Sequence, residues 1–140
     1  MADTKQAIVM RKDLDYKGHT GKVIAQGAHA SLNVFLNKQY THKYDEVLDT
    51  YRKVEPRKQD LTDAMKEWVD SDLKTKIVLA VNSKEELLDI YNQAEENNLP
   101  CSLIKDAGLT VFDEPTYTCC AVGPDKSEKV DKITGDLSLY

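Results

Sequence analysis

Short apolar segments alternate along this chain with longer segments in which apolar residues recur every three to four positions. The short segments predict buried strands, because a brief continuous apolar run suits a strand that is covered on both faces. They are "KQAIVMRK", "TKIVLAV", "CSLIK" and "TYTCCAV". The longer segments predict amphipathic helices, namely the stretch after Gly18, "LTDAMKEWVDSDL", "NSKEELLDIYNQAEENN" and "DKSEKVDKI". Alternating strands and helices predict a single α/β domain over residues 1–140, with helices covering a sheet.

Local signals refine two parts of this pattern. Ser83 and Glu86 stand in capping-box register at the start of the third helix, and Pro100 follows its end. The polar segment around residues 37–72 is interpreted as a longer helical insertion, with residues 45–53 as one helical part. The last seven residues are interpreted as a tail.

The first helix carries a polar stripe that starts near its amino terminus. At about 100° per residue, an arc of about 60° holds four polar side chains: Lys22, Gln26, His29 and Asn33. The opposite side is apolar and is expected to face the core: Val23, Ile24, Ala28, Leu32 and Phe35. Free N–H groups and the helix dipole favour an anion at the amino terminus. The stripe is therefore either a solvated face or one wall of a polar site.

A nucleotide-binding Walker loop does not explain this stripe. The pattern of such a loop needs Gly where this chain has Tyr16, and Ser or Thr where it has Val23. The pattern GxGxxG is also absent from the sequence, so a dinucleotide site is not supported.

A second polar cluster follows the third predicted strand, in "IKDAGLT". Asp106 is expected at the carboxyl end of the strand, with a glycine turn and Thr110 after it. Open α/β sheets bind ligands beyond these strand ends, where a carboxylate can orient a water molecule. The alternative is an Asp that only caps a turn. In the next strand, strict alternation places Thr118 on the opposite face from Cys119.

Charge is distributed unevenly along the chain. Residues 1–58 carry 11 Lys and Arg against 7 Asp and Glu, whereas residues 59–140 carry 8 against 17. The net charge of −5 argues against a dedicated nucleic-acid binder, but a basic amino-terminal face is compatible with a few phosphate contacts. The candidates for such contacts are Arg11, Lys12, Lys17 and Lys22.

The remaining composition narrows the class of protein. The sequence shows neither a bilayer-spanning apolar run nor a signal peptide, so a cytoplasmic protein that does not enter the membrane is expected. Cys101, Cys119 and Cys120 lack the spacing of a zinc site, so buried reduced thiols are expected and no metal is predicted.

Taken together, the segments resemble the second class of peptidyl-tRNA hydrolases, the archaeal and eukaryotic type. The resemblance covers most of the chain and is carried, in order, by "GKVIAQGAHA", "KIVLAV", "SKEELL", "LPCSLIKDAGLT", "TYTCCAVGP" and "VDKITGDLSLY". It implies a three-layer α/β/α sandwich with a four-stranded mixed sheet whose last strand is antiparallel. It also implies a cytoplasmic, metal-independent esterase without a cofactor, often a homodimer, which cleaves the ester between a peptide and the terminal ribose of tRNA.

The same resemblance implies roles for individual residues. Matched position by position, the catalytic residues are Lys22, Gln26, Asp106 and Thr118. The resemblance also makes His29 and Thr110 substrate-binding candidates, and the basic charge of the loop before the first helix adds Lys17 as a third. Lys22 would hold a phosphate or stabilise developing negative charge, and Asp106 would position the attacking water.

Two other functions stay open at this point. One is a non-catalytic binding or regulatory protein on the same fold, with the 37–72 segment as its partner surface. The other is an esterase or amidase that acts on a smaller acylated molecule, for which weak RNA binding would be no handicap.

Overall fold

The computed structural model describes residues 3–36, 40–45, 50–53 and 61–140, with the main chain alone for 40–45 and 50–53. The elements in chain order are β1 (Thr4–Arg11), α1 (Thr20–Asn33), β2 (Tyr40–Asp45), β3 (Thr50–Lys53), α2 (Asp63–Asp70), β4 (Lys76–Val81), α3 (Lys84–Glu96), β5 (Cys101–Asp106), β6 (Thr116–Lys126), α4 (Ser127–Thr134) and β7 (Ser138–Leu139). Within these ranges, every helix is too short or too polar to cross a membrane.

The main sheet is mixed and has five strands, in the order β5-β6-β1-β4-β7. β1 and β4 are parallel, and β6 runs antiparallel to both of its neighbours, as expected for the fourth strand. The expected count of four strands is wrong, because Ser138–Leu139 in the tail pairs with β4 as a short fifth strand. Two residues are too few to show a period of two in the sequence, so this strand depends on the edge that β4 offers.

Apolar side chains from the sheet form two clusters, one on each face. The cluster that includes Leu87 and Tyr91 lies under α3 and also takes Val130 of α4. The other cluster joins Val34, which follows α1, to Met65 of α2. Helices therefore cover both faces of the sheet, as the alternation of elements predicts.

The capping box at the start of α3 is confirmed. Ser83 Oγ accepts a hydrogen bond from the Glu86 N–H at 3.0 Å, and Glu86 Oε2 accepts one from the Asn82 N–H at 2.9 Å. The first bond satisfies a main-chain donor that the first turn of the helix leaves open, and the second holds the N–H of the residue just before the N-cap.

The 37–72 segment differs in part from the helical insertion predicted for it. Asp63–Asp70 is helical, but Thr50–Lys53 is a strand that pairs with β2. Thr and Tyr favour strands, and pairing within a hairpin outweighs the weak helical pattern of this stretch. Residues 37–39, 46–49 and 54–60 lie outside the described ranges.

Helix α1 packs on the sheet through its smallest residues. A Cβ atom on Gly27 would lie 3.6 Å from Ile8 Cγ2, so the helix lies close to β1. This approach carries Gln26 into the interior, where it is 4% exposed. The side expected to face the core is turned outward in part, since Ile24 is 67% and Leu32 55% exposed. The prediction was wrong for these two residues, because the small residues of the helix decide where it approaches the sheet most closely, whereas Val23 and Phe35 do pack against the core.

Candidate active site

Five of the seven predicted site residues meet where β5 ends. Lys22 Nζ, in the first turn of α1, donates to Asp106 Oδ1 at 2.6 Å and to Thr110 Oγ1 at 3.2 Å. One turn further along the helix, Gln26 Nε2 donates to the same carboxylate oxygen at 3.3 Å. The hydroxyl of Thr118 donates to Gln26 Oε1 at 2.5 Å. Residues that are far apart in the sequence thus form one connected polar cluster.

The carboxylate of Asp106 is the centre of this cluster. Burial on its own would raise the pKa of Asp106, but hydrogen bonds from Lys22 Nζ and from the Gly108 N–H, together with the charge of Lys22, hold it below its usual range. The Gly108 N–H reaches Asp106 Oδ2 at 2.9 Å. Asp106 is therefore ionised at neutral pH, and both of its oxygens have fixed partners.

The N–H of Gly108 is a partner of Asp106 that the sequence analysis did not name, although the sequence contains a signal for it. An Asp followed two residues later by Gly is typical of a turn in which the carboxylate accepts from the main chain. Gly108 has φ +78°, and a Cβ atom there would lie 2.4 Å from the carbonyl carbon of Glu114. Only glycine fits this position, so the loop that holds Asp106 depends on it.

A β-bulge directs Thr118 into the cluster. Cys119 pairs with Ile104, whereas Tyr117 pairs with the next residue of β5, so Thr118 is an extra residue in β6. The Cys119 thiol donates to the main-chain oxygen of Gln26 at 3.3 Å, so Thr118 and Cys119 both face α1. The predicted alternation was wrong here, because a bulge breaks the period of two.

The orientation of the Gln26 side chain follows from its two partners. An ionised carboxylate can only accept hydrogen bonds, so Nε2 faces Asp106 and Oε1 accepts from Thr118. Thr118 is fully buried and Gln26 nearly so. The hydroxyl and the amide thus form a short buried chain that ends on the carboxylate.

A cavity of about 290 Å³ opens beside this chain, between α1 and β5. Its lining residues are Gln26, His29, Asn33, Leu103, Ile104, Lys105, Asp106 and Ala107. His29, which was predicted to bind the substrate, therefore lies at the wall of the cavity. It is the sixth of the seven predicted residues that the structure places at this site. The carboxylate of Asp106 forms one end of the lining, so a bound molecule can extend from the polar cluster into the cavity.

Lys17 does not join the cluster. It lies in the loop before α1 with φ +54°, its main-chain N–H donates to Asp15 Oδ1 at 2.8 Å, and its side chain is exposed. Lys17 is thus available to an external anion near the amino terminus of α1, but it is not placed next to Asp106.

Arg11 is not available for a phosphate contact, contrary to the prediction from charge. Its guanidinium donates to both carboxylate oxygens of Asp13, at 3.0 and 2.6 Å, and to the main-chain oxygen of Tyr117 at 3.0 Å. Lys12 Nζ lies 5.9 Å from the ring centroid of Tyr140. The basic residues at the end of β1 therefore have partners within the fold.

The three cysteines are buried and free, as expected. Burial raises the pKa of the Cys119 thiol to about 12, so this thiol is not an activated nucleophile at neutral pH. Across residues 3–36 and 61–140, His, Cys, Asp and Glu side chains form no group of three that could hold a metal ion.

Comparison with known proteins gives consistent matches over the length of the chain. A family model described as "Peptidyl-tRNA hydrolase PTH2" matches residues 4–140. A protein named peptidyl-tRNA hydrolase from Methanocaldococcus jannaschii is 44% identical over 135 residues, which are 96% of this chain and 98% of that protein. Proteins with the same name from Nanoarchaeum equitans and Haloquadratum walsbyi are 44% and 40% identical, over 97% of this chain and 98% and 99% of theirs.

A solved structure is also similar in fold. It is a protein of unknown function from Agrobacterium tumefaciens, 18% identical, with a TM-score of 0.50 over 100% of this chain and 99% of that one. At this level of identity the similarity concerns the fold alone.

Proposed function

We propose that this chain, which belongs to the peptidyl-tRNA hydrolase PTH2 family, hydrolyses the ester that joins a peptide to the terminal ribose of tRNA, with the cluster around Asp106 as its active site. The chain spans nearly the whole length of the relatives that carry this name. The observation that supports the site most directly is a buried, ionised carboxylate, held by Lys22 and Gln26 at the end of a cavity.

In the proposed reaction, Asp106 orients the attacking water. The carboxylate accepts a hydrogen bond from the water and directs its oxygen to the ester carbonyl carbon. The new C–O bond forms to the water oxygen and the C–O bond to the ribose breaks. One proton of the water ends on the ribose hydroxyl, and the peptide leaves with a carboxyl group that then ionises. The lowered pKa of Asp106 makes it a weak base, which favours orientation and charge stabilisation over early removal of the proton.

Lys22 is proposed to stabilise the negative charge that develops on the carbonyl oxygen. Its ammonium lies 2.6 Å from the carboxylate, so a substrate that reaches Asp106 also comes within range of this cation. Thr110 holds the same ammonium from a second side. Because Lys22 is already paired in the free protein, its charge is in place before the substrate binds.

Gln26 and Thr118 are proposed to act by position. Gln26 fixes one oxygen of Asp106, and Thr118 fixes the orientation of the Gln26 amide. His29 is proposed to contact the substrate from the cavity wall, and Lys17 to contact a phosphate of the tRNA end beyond the amino terminus of α1.

The test is release of an N-acetylated amino acid from tRNA by the wild-type chain and by Asp106→Asn. Asp106→Asn is expected to lower turnover at least about a hundredfold, since it removes the charge but keeps the shape. Asp136→Asn, at an exposed carboxylate after α4, is the matched control and should retain wild-type turnover. Full activity of Asp106→Asn would remove this residue from the mechanism.

The same assay separates the two alternative functions. A non-catalytic binding protein would retain tRNA without releasing the amino acid. An esterase for small molecules would cleave an acylated nucleoside at least as efficiently as the acylated tRNA. The cytoplasmic location and the homodimer stay predictions, which fractionation of cells and the molar mass in solution test.

A further inference from the structure

Strand β5 turns two main-chain groups of Leu103, its N–H and its C=O, toward the cavity, and neither has a partner in the described part of the chain. β5 lies at the end of the sheet, and β6 is its only strand partner in the described chain. The Gly123 N–H donates to Pro100 O at 2.7 Å, so these two opposite residues form a hydrogen-bonded pair of the antiparallel strands. Hydrogen-bonded and non-hydrogen-bonded pairs alternate along antiparallel strands. The main chains of Ser102 and Ile104 therefore face β6, and the N–H and C=O of Leu103 point away from it.

The main chain of Leu103 is the part that can line the cavity. Its side chain belongs to the apolar cluster under α3, whereas the cavity lies on the side of α1. Among residues 3–36 and 61–140, no hydrogen-bond partner for the N–H or C=O of Leu103 is found. The unpaired N–H and C=O groups of an edge strand are a template for pairing with another extended chain, and here the cavity leaves room for one beside Leu103.

The two walls of the cavity extend over the same distance from the active site. Leu103 precedes Asp106 by three residues, which is about 10 Å along a strand. Asn33 follows Gln26 by seven residues, which is also about 10 Å along a helix. This length accommodates roughly three residues of an extended peptide.

We propose that the peptide part of the substrate binds in this cavity as an extended strand that pairs with β5 at Leu103, with its ester at Asp106. This inference rests on the proposed function. The cavity continues directly from the carboxylate that the reaction requires, and it extends away from the amino terminus of α1, whose dipole favours the phosphates of the tRNA end.

Recognition of this kind suits substrates whose peptides differ in sequence. Strand addition uses main-chain hydrogen bonds, which every peptide offers whatever its side chains. On the opposite wall, the imidazole of His29 and the amide of Asn33 offer further hydrogen-bonding groups. The site therefore distinguishes the length and the main chain of the peptide more than its composition.

The first experiment uses the wild-type chain and a series of tRNAs that carry N-acetylated peptides of one to five residues. kcat/KM is expected to rise about tenfold up to roughly three residues and then to level off, as one pair of main-chain hydrogen bonds would give. Peptide nitrogens two to four from the ester are then methylated one at a time. Loss of the gain at one position or at alternate positions is expected, because only every second residue of a strand faces its partner.

A pair of variants tests the cavity itself. Asn33→Trp fills the far end of the cavity and is expected to reduce the gain from peptide length to about twofold or less. Leu32→Trp introduces the same side chain at the neighbouring, 55% exposed position and should keep the full gain. The methylated substrates test the proposal on the wild-type chain, so the result does not depend on whether Asn33→Trp folds.

The outcomes separate this inference from the proposed function. If no N-acetylated aminoacyl-tRNA is hydrolysed, the proposed function is wrong. If the one-residue substrate is hydrolysed but kcat/KM depends on neither length nor methylation, the function stands and strand pairing at Leu103 is wrong. Methylation that reduces kcat/KM equally at all three positions would also overturn strand pairing, because a steric effect has no period of two.

Discussion

Replacing Thr118 by Val tests the chain of hydrogen bonds that ends on Asp106. The two side chains have nearly the same shape, but Val lacks the hydroxyl that donates to Gln26 Oε1. Because Gln26 is only 4% exposed, its oxygen would lose its donor without gaining water. The Gln26 amide would then be free to rotate, and its Nε2 would no longer be held in position to donate to Asp106 Oδ1.

Two magnitudes follow from this geometry. A buried acceptor without a partner costs about 1–3 kcal/mol of unfolding free energy. For a chain of 140 residues, an unfolding entropy of about 0.3 kcal/mol per kelvin converts this cost to a fall in Tm of roughly 3–10 °C. A similar loss in the transition state lowers kcat roughly ten- to a hundredfold, with little change expected in KM because Thr118 is fully buried and does not line the cavity.

The assay compares kcat, KM and Tm of Thr118→Val with those of two controls. Thr118→Ser keeps the hydroxyl and should retain most of the turnover. Thr134→Val removes the hydroxyl of another buried threonine, which donates to Val130 O within α4, and should leave kcat unchanged. If Thr118→Val lowers Tm as expected but keeps wild-type kcat, the hydroxyl stabilises the fold and has no part in positioning Asp106.

Four further predictions follow from the same site. Lys22→Met should raise the pKa of Asp106, as measured by NMR titration of the carboxyl group, because the cation that lowers this pKa is lost. In the wild-type chain, the stability that Asp106 contributes should be complete above its unfolded pKa of about 4 and should be lost as the pH falls through its lower folded pKa. Acid unfolding curves of the wild type and of Asp106→Asn measure this difference. Gly108→Ala should lower both Tm and kcat, since a Cβ atom there meets main-chain atoms of the same loop. Lys17→Gln should reduce the salt dependence of KM by about one phosphate contact, whereas Arg11→Gln should lower Tm without changing that dependence.

Each of these predictions has an outcome that contradicts it. An unchanged titration in Lys22→Met would mean that the ion pair does not control Asp106. Coincident acid unfolding curves would show that the carboxylate contributes no pH-dependent stability. Wild-type activity in Gly108→Ala would show that the loop tolerates a side chain. An equal loss of salt dependence in both basic variants would show that Arg11 leaves its partners when tRNA binds.

Sequence alone determined the features that depend on neighbours along the chain. The four main strands follow from short continuous apolar runs, and the helices follow from apolar residues that recur with a period of about 3.6 residues. The start of α3 follows from the Ser83 and Glu86 capping box, which closes within one turn. Asp106 was located at the end of a strand because a short apolar run stops there and a glycine turn follows. These signals span a few residues, so their meaning changes little with the rest of the fold.

Only the tertiary structure decided how these segments face one another. The buried face of α1 was decided by the close approach of Gly27 to β1, which takes Gln26 inside and leaves Ile24 exposed. The bulge that directs Thr118 toward Gln26 exists only in the pairing of β6 with β5. The guanidinium of Arg11 donates to the carbonyl of Tyr117, which is 106 residues away in the sequence, and does not extend into solvent as its charge alone would suggest. Such contacts join segments that come together only when the chain folds. Local sequence patterns are compatible with several arrangements of these segments, and the free energies of close packing and of burying polar groups decide which arrangement forms.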